Sequence, residues 1–153
     1  MKKALILTWE GYKDYEAVYP YYRLLEEDYE VDVMSNTLGK VKGILGGAIP
    51  CNRHIDSLDT PSSISNILAN YDLLIIPGGV NSLEKLRLHQ GAVQLVEEWC
   101  KAGKLIGSIC SGAQLLITAK VVAGRKITAY YSMEQDCVEC RSNFYRCTCC
   151  CRW

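Results

Sequence analysis

Short apolar runs alternate along the chain with longer stretches in which apolar positions recur every three or four residues. That order is expected of parallel strands joined by covering helices. Ala4 to Thr8 is continuously apolar, as a strand buried on both faces would be. Tyr15 to Glu27 reads as a helix with Val18, Tyr22 and Leu25 at helical spacing, and Pro20 sits early in it, where a missing N–H does least harm. Val31 to Met34 is a second strand. Leu38 to Pro50, rich in glycine and short β-prone pieces, predicts a small hairpin outside the main sheet. Ser62 to Leu68 gives a short helix, and Tyr71 to Ile76 a strongly apolar strand ending at Pro77-Gly78-Gly79. Gly91 to Lys101 is amphipathic, with Val93, Leu95, Val96 and Trp99 inward. Leu105 to Ile109 is another buried strand, Ala113 to Lys120 the next helix, and Ile127 to Tyr130 a further strand. There is no internal repeat, and the pattern does not fix the order of strands in the sheet.

In open α/β sheets ligands bind beyond the carboxyl ends of the strands. That rule draws together the loop after Trp9, the turn at Pro77 to Val80 and the turn at Cys110. Gly107-Ser108-Ile109-Cys110-Ser111-Gly112 places a thiol on a tight strand-to-helix turn, with small neighbours that let the backbone make it. The helix dipole there is expected to lower the thiol pKa and enrich the thiolate at neutral pH; a small buried hydrophobe is the alternative reading of Cys110. Gly78 and Gly79 could offer backbone N–H groups to an oxyanion beside that of Ser111, or form an ordinary turn. Glu16, in the first turn of the first helix, is either a dipole partner or a carboxyl group bonded to the thiol.

Composition narrows the classes. Lys plus Arg and Asp plus Glu each number 17, so formal net charge is zero and no basic footprint for nucleic acid or an anionic membrane is present. No apolar segment approaches the roughly 20 residues that span a bilayer, and the start, which runs into Glu10, lacks a small-residue cleavage site. A cytoplasmic single domain is expected. Of the nine cysteines, Cys51, Cys100 and Cys110 are scattered and the rest crowd into 137–151, which does not resemble a disulfide framework.

Leu5-Ile6-Leu7-Thr8, then Asp14-Tyr15-Glu16-Ala17-Val18-Tyr19-Pro20, resembles the opening of the ThiJ/PfpI family. Ile75-Ile76-Pro77-Gly78-Gly79, the turn at Ser108-Ile109-Cys110, and Ala123-Gly124-Arg125-Lys126-Ile127-Thr128 resemble it too, so the likeness runs from Met1 to about Asp136. It implies a flavodoxin-like three-layer α/β sandwich with a mainly parallel central sheet, related to class I glutamine amidotransferases. It also implies Cys110 as nucleophile, Glu16 as its sulfur-bonding acid, and Gly79 with Ser111 as oxyanion donors. A homodimer or larger ring, a small carbonyl or amide substrate, and no cofactor or metal at this site are expected. Members act as proteases or amidases, glyoxalases, deglycases, chaperones or oxidation sensors, so fold alone does not settle the reaction.

The chain departs from that pattern where protease-like members place His directly after the cysteine; here Ser111 stands. Other members carry His on the strand that here holds Thr128-Ala129-Tyr130. His54 and His89 remain as candidate general bases, from a neighbouring subunit if at all, with a solvated surface role the plainer reading.

From Cys137 the text changes to a cysteine-rich tail without evident periodicity. Taken literally it offers zinc ligands at Cys137, Cys140, Cys147 and one of Cys149 to Cys151. Back-translated with one choice of synonymous codons and read one base later, it encodes VLNAGAIFTDAPVVVDG, a turn and β-rich run of the kind that follows in the family. The expectation is a ThiJ/PfpI-like domain over 1–136 and a tail over 137–153 in a shifted frame, lacking the usual C-terminal hairpin and helix. Two functions follow: a Cys110-dependent amidase/peptidase or glyoxalase/deglycase-type enzyme, or a redox or stress-response protein in which Cys110 is oxidised.

Overall fold

The structure, a computed structural model, describes residues 1–145. In chain order it comprises β1 (Lys3–Leu7), α1 (Asp14–Glu26), β2 (Glu30–Ser35), β3 (Gly39–Lys42), β4 (Ala48–Cys51), β5 (Arg53–His54), α2 (Pro61–Asn70), β6 (Leu73–Ile76), α3 (Val80–Leu86), α4 (Gln90–Lys101), β7 (Leu105–Ser108), α5 (Ala113–Thr118), β8 (Lys126–Ile127), α6 (Glu134–Glu139) and β9 (Asn143–Phe144).

Among the described residues the main sheet has the order β5-β2-β1-β6-β7, all parallel. Strand alternation divides its side chains between two apolar layers. Leu5, Leu7, Leu74 and Ile76 face α2, α3, α4 and α5, whereas Ile6, Val33 and Ile75 face α1 and the hairpin β3–β4. Burial on both faces explains why these strands read as continuous apolar runs rather than alternating ones. Leu95, Val96 and Trp99 of α4 are fully buried, as their spacing predicts, and the Trp99 indole N–H donates to the Leu105 carbonyl at 3.0 Å. Among the described residues no helix is long and apolar enough to cross a membrane.

Three expectations need correction, and one helix carried no prediction. On α1 the inward residues are Ala17, Tyr21 and Leu24 with Val18, and Tyr22 and Leu25 are exposed. The apolar positions of that helix cover more than one face, and the sheet takes the stripe that begins at Asp14. The predicted strand Ile127 to Tyr130 is reduced to Lys126–Ile127, which pairs with β9 outside the main sheet. Residues 80–86, which carried no prediction, form α3, started by Gly79. Finally, Cys137 does not begin a patternless tail. It lies in α6, fully buried beside Met133 and Cys140, whose spacing of four and three makes one helical face. Cys147 and Cys149 to Cys151, on which the zinc reading depends, lie outside the described residues, as does the second part of the stretch with the alternative frame.

Two buried carboxylates hold the layers in register. Asp32 on β2 accepts hydrogen bonds from Tyr71, Asn52 and, at 2.8 Å, Arg53. Burial alone would raise its pKa, but these donors hold it below the usual carboxylate value. Asp14 accepts from the Leu45 and Gly47 amides at 2.8 and 2.6 Å, tying the hairpin turn to the start of α1. The turn fits because Gly43 has no Cβ, which would stand 2.5 Å from the Asp14 carboxyl carbon.

Asp32→Asn is therefore expected to lower stability by about 2 kcal/mol at neutral pH, since hydrogen bonds to charged groups contribute roughly 1.5–3 kcal/mol and Arg53 is partly solvated. Because the Asp32 pKa is depressed on folding, this contribution is present above the unfolded value of about 3.9 and lost as pH falls below it. Urea midpoints at pH 7 should separate wild type from variant and draw together as pH falls from the unfolded value through the depressed folded one; equal midpoints at pH 7 would refute the assignment. Asp14→Ala should cost about 1–3 kcal/mol and speed hydrogen exchange at the Leu45 and Gly47 amides first. Unchanged exchange there would show that the turn does not depend on Asp14.

Candidate active site

Three chain segments meet beyond the carboxyl ends of β1, β6 and β7, at the point where the strand order reverses. This is where open α/β sheets place their ligand crevice. The β7 segment supplies the thiol. The Ile109 N–H donates to the Ile76 carbonyl at 3.1 Å, and Gly112 packs so tightly under the same carbonyl that a Cβ there would strike its oxygen. Between these fixed points the chain must reverse within two residues. Cys110 absorbs the turn with φ of 54°, a left-handed conformation that a side chain adopts at a cost. A single 3₁₀ turn, Cys110–Gly112, then leads into α5.

The β6 segment supplies Gly78 and Gly79. The Gly78 N–H donates to a Glu16 carboxylate oxygen at 2.8 Å, and the Gly79 N–H to the Ser111 hydroxyl at 2.9 Å. Gly79 has φ of 120°, and a Cβ on it would lie 2.9 Å from the Lys13 nitrogen, so glycine lets the turn lie against the start of α1. The β1 segment supplies Lys13 and Glu16; the Lys13 N–H donates to the Gly78 carbonyl at 2.9 Å. Glu16 also hydrogen-bonds the Cys110 thiol, as does the Ser111 backbone. The Tyr130 N–H donates to the Cys110 carbonyl at 3.3 Å, bringing Tyr130 to the rim. Together these residues line a cavity of about 340 Å³, bounded also by Ile44 of the hairpin turn and Val80 of α3.

The electrostatics differ from the expectation of a depressed thiol pKa. Burial pushes the Cys110 thiol above its ordinary value, the Glu16 charge adds to this, and the Ser111 backbone and Lys13 oppose it without prevailing. The expected helix dipole is weak because the thiol is followed by one 3₁₀ turn and a helix of only six residues.

The structure thus gathers Cys110, Glu16, Gly79 and Ser111 at one cavity. The two amides considered as oxyanion donors already have partners, Gly79 on the Ser111 hydroxyl and Ser111 on the Cys110 sulfur. His54 and His89 are not among the cavity-lining residues. His54 bonds the Asn36 carbonyl and the Asp56 amide, and His89 caps α4 through the Ala92 amide, both close to the Asp56 carboxylate. Within this chain they are structural residues. Sequence reasoning did not single out Lys13, Ile44 or Tyr130. Lys13 could have been found as the only basic residue in the loop after Trp9; Ile44 reaches the site only through the hairpin's tertiary anchoring.

The sequence model of the DJ-1/PfpI family matches residues 2–151. A deglycase of Pyrococcus horikoshii is 35% identical over 136 residues, covering 89% of this chain and 76% of that protein. Protein/nucleic acid deglycase 2 of Escherichia coli is 33% identical over 146 residues, covering 94% and 80%. A ThiJ/PfpI domain protein of Brachyspira murdochii superposes with a TM-score of 0.84 at 16% identity, covering 98% of this chain and 82% of that one, which speaks to the fold. The chain belongs to the DJ-1/PfpI family.

Proposed function

We propose that this protein is a deglycase-type enzyme in which Cys110 attacks the carbonyl carbon of an amine- or thiol-borne carbonyl adduct or of the free oxoaldehyde. The observation that carries the reading is the left-handed Cys110 at the rim of a cavity, with the Glu16 carboxyl group on its sulfur. Similarity to proteins named deglycases supplies the reaction class.

The chemistry balances without an external oxidant or cofactor. Breaking the C–N bond of a glycated amine releases the amine and an oxoaldehyde. The Cys110 sulfur bonds to the aldehyde carbon while the C=O π pair moves to oxygen, which takes up a proton, giving a hemithioacetal. Transfer of the C–H proton to the neighbouring carbonyl, through an enediol, converts this to a thioester. Water then cleaves the C–S bond, releasing a 2-hydroxy acid and the thiol. Glu16 is the group in contact with the sulfur that can carry these protons. An oxyanion reaches the Gly79 amide when the Ser111 hydroxyl rotates aside, and Ser111 in place of histidine leaves Glu16 as the acid–base group of the site.

Cys110→Ala is expected to abolish release of free amine from methylglyoxal-treated peptide, a loss of at least about a hundredfold for removal of a nucleophile. Retained activity would remove Cys110 from the mechanism. If the wild type releases no amine but gains oxygen mass at Cys110 under peroxide, the oxidation-sensing reading replaces this one. Since the thiol pKa is raised, alkylation of Cys110 by iodoacetamide should keep accelerating from pH 6 through pH 9, as thiolate is formed only on the alkaline side. A rate that levels off below pH 7 would show the thiol to be ionised already at neutrality.

A further inference from the structure

Among the described residues lining the Cys110 cavity, Lys13 is the one cation. It occupies the N-cap of α1 and makes no side-chain capping bond there. A basic residue at that end is unfavourable, since the helix N-terminus carries positive partial charge and Ser, Thr, Asp or Asn would cap it better. The two acids of the first turn do not neutralise it by ion pairing. Asp14 is bound to the Leu45 and Gly47 amides, and Glu16 to the Gly78 amide and the thiol. The Lys13 side chain has no hydrogen bond or ion pair among the described residues. Its backbone is nonetheless fixed against the Pro77-Gly78-Gly79 turn by the bond to the Gly78 carbonyl, and its charge is close enough to be felt by the Cys110 sulfur. A local choice that weakens helix capping yet places, at the cavity that holds the thiol, a charge with no partner among the described residues is the pattern of a functional position.

We infer that Lys13 is a specificity-determining residue that favours electrophiles bearing an anionic group beside the carbon attacked by Cys110: carboxylated oxoaldehydes and the adducts they form with amines. The inference rests on Cys110 being the attacking atom. The remaining cavity-lining side chains include the apolar Ile44 and Val80, the neutral Asn81, Ser111 and Tyr130, and the acid Glu16. Glu16 is turned inward on the Gly78 amide and the sulfur, which leaves Lys13 to meet a carboxylate entering from the rim.

The experiment compares two alkylating agents that differ in charge, iodoacetate and iodoacetamide, at a single pH, with modification of Cys110 followed by peptide mass spectrometry. Any change in thiolate fraction affects both reagents alike and cancels in the ratio of their rates. Lys13→Gln should lower the iodoacetate-to-iodoacetamide ratio by at least roughly fivefold, the size expected for one charge about 4 Å away when water screens it fully, and Lys13→Arg should retain it. Protection of Cys110 by glyoxylate should weaken in the Gln variant by a similar factor, while protection by methylglyoxal should not. An unchanged ratio, or equal slowing with both reagents, would overturn the inference, since Lys13 would then act only through the thiol's ionisation. Absence of amine release by the wild type together with the expected change in ratio would refute the deglycase reading and leave the charge selection at Cys110 standing.

Discussion

The Ile76 carbonyl is the constraint on which the site depends. It ends β6, receives the Ile109 N–H from the end of β7, and has Gly112 pressed against it. With Ile109 bonded to that oxygen and Gly112 packed against it, the two residues between must reverse the chain, and Cys110 does so with a positive φ. The backbone strain at Cys110 is thus set by sheet geometry rather than by anything the thiol does. It persists because the β6–β7 pairing and the apolar layer beneath, with Leu74, Ile76, Ala113 and Leu116 fully buried, over-determine it.

The first turn of α1 distributes its charges among three tasks. Asp14 faces the hairpin and holds its turn; Glu16, two residues on, faces the β6 turn and the thiol; Lys13 stays at the rim. One helix start therefore positions both walls of the cavity, since the hairpin turn that carries Ile44 and the Gly78–Gly79 turn are bound to neighbouring residues. This also accounts for the glycines at 43, 47 and 78, where a Cβ would come within 2.7 Å of an Asp14 or Glu16 carboxylate atom. A hairpin outside the main sheet thereby becomes part of the site.

Much of this was legible in the sequence where the signal is local. The buried strands declare themselves by continuous apolar runs, α4 by its period, and the Cys110 turn by glycines around a thiol at a strand end. What was not legible depends on tertiary choices. On α1, two apolar stripes compete, and only docking on the sheet selects Ala17 and Leu24 over Tyr22 and Leu25. In α6 the helical face is split by an assumed boundary: Met133, Cys137 and Cys140 form one stripe only when the residues before Cys137 are read with those after it. Thr128 to Tyr130 have the composition of a strand but leave the sheet, and the Tyr130 N–H pairs instead with the Cys110 carbonyl. At the site, residue types near Cys110 were readable, whereas the partners that occupy them were not. The bonds from Gly79 to Ser111 and from Gly78 to Glu16 join residues from separate chain segments.

The raised thiol pKa gives these bonds a common meaning. A buried thiol beside a carboxylate disfavours a resident thiolate, so the site stabilises charge poorly at rest. Addition to a carbonyl moves the charge from sulfur to the new oxygen, away from Glu16 and toward the Gly79 amide, where a neutral hydroxyl now sits. Stabilisation that appears only after charge has moved raises the rate rather than the affinity. The inferred role of Lys13 precedes that step, since its charge at the cavity would bear on which electrophile arrives. In the proposed reaction the same few ångströms would therefore hold two separable electrostatic tasks, one for backbone amides on the developing oxyanion and one for a side chain on the approaching ligand.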